Sequence, residues 1–160
     1  MPLTVANRLE LSDLVHRYAA LVDDRHLDLV PELFTDTAEL ILPDPPQTLG
    51  PALVRHGADG IRTALATLDA VTRTQHEIVG EVYRADDDHD DLGDHGSRAT
   101  GRIACVAHHW TQTADGAIDL VWHLRYDDEY QHDSSGWLIS RRALTLNAIE
   151  TRPVRKLRES

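Results

Sequence analysis

Apolar residues recur at three- and four-residue spacing between about residues 5 and 23. Leu11, Leu14, Val15, Tyr18, Leu21 and Val22 share one face, while Arg8, Glu10, Asp13 and Arg17 take the other. That period predicts an amphipathic helix, which "DDRHLD" ends. "LDLVPELF" reads as a short second amphipathic segment, because Pro31 suits a first helical turn better than a helix interior. "TAELIL" has strand character, and the prolines of "PDPPQTLGP" mark a loop. "ADGIRTALATLD", residues 58–69, predicts a third short helix with Asp59 as its N-cap.

From residue 71 the pattern changes to strands. "VTRTQHEIVGEVYRA", "SRATGRIACVAHHWTQT", "AIDLVWHLRYDDEYQHD" and "GWLISRRALTLNAIE" are long β-type runs, separated by the turn sequences "DDDHDDLGDHG", "ADG" and "SSG". The expected order is three helices around one early strand, then a four-stranded antiparallel meander. Helices gathered on one face of a curled antiparallel sheet make an α+β layer architecture. The whole chain, 1–160, reads as one domain with a core at about 6–148 and a loose tail at 150–160. Between a long helix and such a sheet lies a natural site for a small ligand.

Composition narrows the partners. The net charge of −11 repels phosphate backbones and anionic lipid, so neither nucleic acid nor a membrane surface is an expected partner. With a single cysteine, Cys105, no internal disulfide can form. The N-terminal residues have no basic segment leading into an apolar run, and no stretch approaches a membrane span, so a cytoplasmic protein is expected.

Ten histidines are present, and the patterns around them differ. His89, His95 and His132 sit among acidic turn residues. His16 lies on the polar edge of the first helix, and His26 follows its end. His76, His108, His109 and His123 lie inside apolar strand patterns, where a histidine is either a satisfied core residue or a pocket residue. Alternation puts Gly101, Ile103, Cys105, Ala107 and His109 on one face, small and apolar ahead of one imidazole as a pocket wall would be. The opposite face carries Arg102, Ala104, Val106, His108 and Trp110, so parity favours His109 over His108. In the next strand either face could line the pocket, and His123 is a candidate on one of them. In the last strand Arg142 is preferred to Arg141.

Asp23 stands at the C-terminal end of the first helix, facing the negative end of its dipole. It needs a donor. A histidine would supply one, and the carboxylate would fix the imidazole tautomer and leave the other nitrogen as a general base. Capping of the following turn is the alternative. The acidic loop "DDDHDDLGDH" lacks the spacing of a calcium loop, and the histidines lack a paired zinc spacing, so no metal and no other cofactor is expected.

"YAALVDDRHLDLVPELFTDTAEL" resembles the opening of the SnoaL-like branch of the nuclear-transport-factor-2-like superfamily. "TRTQHEIVG" and "GRIACVAHHW" resemble the two strands of scytalone dehydratases that carry active-site histidines, and "GWLISRRALTL" resembles the superfamily's closing strand. The resemblance implies a cone-shaped barrel, a curled antiparallel sheet wrapped around the long helix. It also implies a homo-oligomer, trimer or dimer. By position it gives Asp23 the role of orienting the histidines and makes His76 the first of them and His109 the second. Tyr18 matches a tyrosine of the related bile-acid dehydratases. Val22, His123 and the first strand depart from the dehydratase pattern, which leaves the substrate open.

The function expected is a cofactor-independent dehydratase or isomerase acting on a hydrophobic cyclic molecule of polyketide, steroid or terpenoid type. His76 would take a proton next to a carbonyl, and His109 or Tyr18 would polarise that carbonyl or protonate a departing hydroxyl. Leu14, Ile103, Cys105, His123 and Arg142 would contact the substrate. The alternative is a non-catalytic binding or assembly protein of the same fold, including one like the small subunit of a ring-hydroxylating dioxygenase.

Overall fold

The computed structural model describes residues 2–86 and 97–158. The acidic turn at 87–96, with His89, His95 and the calcium question, lies outside the described residues.

Helix α1 spans Val5–Asp23. It opens on a capping box: the Thr4 hydroxyl accepts from the Asn7 amide at 3.1 Å, and the Asn7 side chain accepts from the Thr4 amide at 3.2 Å. The predicted apolar face is the buried one, with Leu11, Leu14, Val15, Tyr18, Ala19 and Val22. The helix ends in a Schellman pair, His26 N–H to Leu21 C=O at 2.9 Å and Arg25 N–H to Val22 C=O at 3.2 Å. Arg25 takes the left-handed position with φ 63° that glycine usually fills. Its guanidinium offsets that cost by donating to the Leu68 and Val71 carbonyls at 3.0 and 2.7 Å. This stop makes Asp23 the last helical residue.

The second helical segment is only a 3-10 turn, Val30–Leu33, with Pro31 in its first turn. Strand β1, Phe34–Asp44, follows at once and is longer than "TAELIL" suggested. A second early strand, β2 (Thr48–His56), runs where a loop was expected. Its side chains are mostly exposed, so no alternation marks it, and Pro51 is tolerated because β2 is an edge strand. The last expected helix is α2, Gly57–Leu65, continued by a 3-10 turn at Ala66–Ala70. His56 rather than Asp59 occupies its N-cap, and Asp59 sits in the first turn bonded to Arg62 at 2.9 Å.

The meander forms as expected: β3 Arg73–Ala85, β4 Arg98–Thr113, β5 Gly116–Asp133 and β6 Gly136–Val154. The tail expected to be loose is therefore strand as far as Val154, which pairs with Ala117. The six-stranded sheet has the order β2-β1-β6-β5-β4-β3. Among the described residues only the β1–β6 pair is parallel. The sheet is curled around α1 but open, with β2 and β3 as its edges. No helix among the described residues is long and apolar enough to cross a membrane.

Register fixes the inner face. On β4 it carries Ala99, Gly101, Ile103, Cys105, Ala107 and His109, all buried. Their partners on β5 include Tyr130, Asp128, Tyr126, Leu124 and Trp122. Gly101 is required, because a Cβ there would stand 2.8 Å from the Tyr130 ring.

Candidate active site

One end of the inner face is organised by two rows that run straight across the strands. His76 on β3 pairs with Ala107 on β4, Trp122 on β5 and Ile149 on β6. The next row is Thr74, His109, Leu120 and Thr151. The end of α1 meets the β3 edge here and delivers Asp23.

Asp23 binds three donors. Its Oδ1 accepts from His76 Nδ1 at 2.7 Å and from the Thr74 hydroxyl at 2.9 Å, and its Oδ2 accepts from the His76 backbone amide at 2.8 Å. Burial alone would raise the carboxyl pKa, but these bonds and the His76 ring prevail and hold it below its ordinary value. The expected clash with the helix dipole is thus answered by donors from a neighbouring strand. Because an ionised carboxylate only accepts, the bond puts a proton on His76 Nδ1, and in the neutral ring Nε2 is then the acceptor.

His109 stands beside this pair, its ring centroid 6.2 Å from that of His76 and 5.0 Å from that of Trp122. Its Nδ1 donates to the Leu120 carbonyl at 3.0 Å. A carbonyl cannot donate, so Nε2 of the neutral ring is again an acceptor. Burial lowers the pKa of His109 and so favours that neutral form.

This end is also apolar and uncovered. Leu120 and Ile149 belong to the inner-face rows yet are 37% and 38% exposed. A separate, largely polar cleft of about 470 Å³ reaches Asp23 from the β3 edge, lined by Asp24, Arg73, Gln75, Trp110 and Lys156 and not by His76, His109 or Trp122.

The other expected site residues divide differently. Leu14, Ile103 and Cys105 are packed into the buried core. Burial pushes the Cys105 thiol up to about 12, which keeps it protonated. Tyr18 does not join the histidines: a five-residue step turns about 140° around a helix, so it cannot share the Asp23 face. Its ring packs instead against Phe34 and Tyr126, 6.1 Å from each, and lies under Arg142.

Arg142 is fully buried and holds Asp128 in a two-pronged ion pair at 2.9 and 2.6 Å. Its guanidinium carbon lies 4.3 Å from the centroids of both Tyr18 and Tyr126. Asp128 also accepts from the Tyr130 hydroxyl at 2.7 Å. This row crosses β4 at Gly101, six positions from Ala107 and about 20 Å away along the strand. The pair is therefore a brace of the far end of the core, not part of the histidine group.

His123 faces outward, with Nε2 2.6 Å from Glu150. It shares the outer face with His108, which lies 2.6 Å from Asp119 and stacks on Trp110. Both belong to the opposite side of the sheet from His76 and His109.

Three residues were missed from sequence. Thr74 lies two positions before His76 and so shares its face. Trp122 and Asp128 share the alternation of Leu124 and Tyr126. That signal was present but gave no choice between faces until β5 was registered against β4.

A model of the SnoaL-like domain matches residues 4–143. The chain belongs to the SnoaL-like domain family. No curated protein sequence matches it. Among solved structures, this SnoaL-like chain resembles the Kfla4162 protein of Kribbella flavida at 25% identity and a TM-score of 0.71, covering 91% of this chain and 93% of that one. It also resembles a scytalone dehydratase candidate from Novosphingobium aromaticivorans at 15% identity and a TM-score of 0.69, over 98% and 99% of the two chains. A third is a hexachlorocyclohexane dehydrochlorinase, at 15% identity and a TM-score of 0.67 over 97% and 95%. These likenesses bear on the SnoaL-like fold.

Proposed function

We propose that this SnoaL-like protein is a cofactor-independent lyase or isomerase that moves a proton on a hydrophobic cyclic ketone or β-hydroxyketone. The observation that carries the reading is the 2.7 Å bond from His76 Nδ1 to a carboxylate that also holds the His76 backbone. An imidazole fixed in that tautomer offers Nε2 as a general base, and Asp23 stabilises the imidazolium once it forms. The uncovered Leu120 and Ile149 supply an apolar approach. Two of the neighbours carry names that denote eliminations, which agrees with this class.

The step balances without any other reagent. His76 Nε2 takes a proton from the carbon next to the carbonyl, and the electron pair moves into an enolate. In the dehydratase form the C–O bond to the β-hydroxyl then breaks, the alkene forms, and the same proton leaves His76 to make water. In the isomerase form that proton returns to a different carbon. His109, as an acceptor, holds the substrate hydroxyl in line by its O–H. Each positioned group of this kind is worth about 10²–10⁴ in rate. A cytoplasmic homo-oligomer, dimer or trimer, belongs to the same reading.

The test is turnover of a panel of cyclic β-hydroxyketones, followed by mass spectrometry. Loss of one water, abolished by His76→Ala, supports the reading. Binding of the panel with neither dehydration nor isomerisation would favour a binding protein instead.

A further inference from the structure

Proton removal next to a carbonyl drives charge onto the carbonyl oxygen, and that oxygen needs a donor. Neither histidine supplies one. His76 spends its N–H on Asp23 and His109 spends its own on Leu120, so both present bare acceptors. The Thr74 hydroxyl is likewise directed to Asp23.

Trp122 is different. Its indole lies against His109 with ring centroids 5.0 Å apart, in the strand-crossing row of His76 and Ala107. Its Nε1 is buried and has no hydrogen-bond partner. A buried donor left unpaired is costly to the fold, and such a group calls for a role. The other buried, unpaired indole nitrogen, that of Trp137, belongs to a ring packed with His132 beside the β5–β6 turn. Trp110 stacks on His108 on the outer face. Of the three tryptophans, Trp122 is the one that packs against His109 and stands in the strand-crossing row of His76.

We infer that Trp122 Nε1–H is the substrate-binding donor that takes the carbonyl oxygen of a cyclic ketone and stabilises the enolate formed from it. The assignment rests on the proton-transfer reading for the substrate class, but the donor itself can be observed without turnover. The indole ring sets a second requirement, a flat apolar ring system beside the carbonyl.

The three indole N–H signals of the ¹⁵N-labelled protein report it directly, with Trp122→Phe to assign the one in question. The probes are 1-tetralone, which carries the carbonyl, and tetralin, the same ring system without it. The expected result is a downfield shift of the Trp122 N–H with 1-tetralone but not with tetralin, while the Trp110 and Trp137 signals stay in place. Trp122→Phe should retain the wild-type melting temperature yet lower α-deuterium exchange of 1-tetralone by about 10²–10³-fold, mainly in kcat. An unshifted Trp122 signal at millimolar 1-tetralone, or undiminished exchange in Trp122→Phe, overturns the assignment. Undiminished exchange in His76→Ala would instead sink the proton-transfer reading, and the indole shift would still decide the donor.

Discussion

The Asp23 carboxylate grips His76 at two points, the ring through Oδ1 at 2.7 Å and the backbone amide through Oδ2 at 2.8 Å. The second bond matters as much as the first, because it fixes the strand as well as the ring. A carboxylate that only met the imidazole could follow it through a rotamer change; one bound to the β3 edge cannot. Thr74 adds a third restraint on the same oxygen as the ring. Thr74→Val should therefore leave the chemistry in place while costing about 1 kcal/mol of stability. Urea unfolding and a rate measurement on the same sample separate the two effects.

Acid should weaken the fold in two stages. The His109 pKa lies below its ordinary 6.5 because burial disfavours the imidazolium, so the unfolded chain binds that proton more readily. Its contribution is complete above 6.5 and is lost as pH falls through the lower folded value. The Asp23 pKa lies below its ordinary 3.8, so its contribution persists to more acidic pH and is lost as pH falls through that lowered value. Melting temperatures of wild type and His109→Gln, taken between pH 7 and pH 5, should diverge at neutral pH and converge toward acid. Parallel curves would contradict the account.

The Arg142–Asp128 pair is expected to be structural. Both partners are buried, with side chains 0% exposed, so Asp128→Asn leaves a buried guanidinium without its counter-charge and should cost about 3–5 kcal/mol. The double variant Asp128→Asn with Arg142→Met should lose less than the sum of the single changes. Chemical denaturation of the four proteins makes the check.

His123→Ala tests the facing of β5. Its ring meets Glu150 on the outer side of the sheet, so turnover should match wild type, whereas Trp122→Phe one position earlier should not. Equal losses in both would mean that the two faces had been exchanged.

Arg25→Gly and Arg25→Ala separate backbone strain from hydrogen bonding at the end of α1. Both lose the bonds to Leu68 and Val71, but only alanine keeps the penalty of φ 63°, so it should be less stable than glycine by about 1 kcal/mol. Thermal unfolding of the two variants gives the difference.

Much of this could be read along the chain, for reasons specific to each element. The α1 face and the β3–β6 runs announced themselves because each buries one side. β4 alternation alone put His109 inward and His108 outward. β2 stayed hidden because an exposed edge strand has no buried face to create a pattern. His123 and Trp122 could not be sorted, since both faces of β5 carry apolar and polar residues, and only its register with β4 distinguishes them. Tyr18 was carried to the histidines by likeness to dehydratases. Helix geometry sends it to Arg142.

The central claim is that Asp23 makes His76 a base by fixing its tautomer. Asp23→Asn keeps the shape of the side chain and removes the charge, so solvent-deuterium incorporation into a cyclic ketone substrate should fall about 10²–10⁴-fold with the melting temperature within a few degrees of wild type. A variant that exchanges deuterium at the wild-type rate would contradict it.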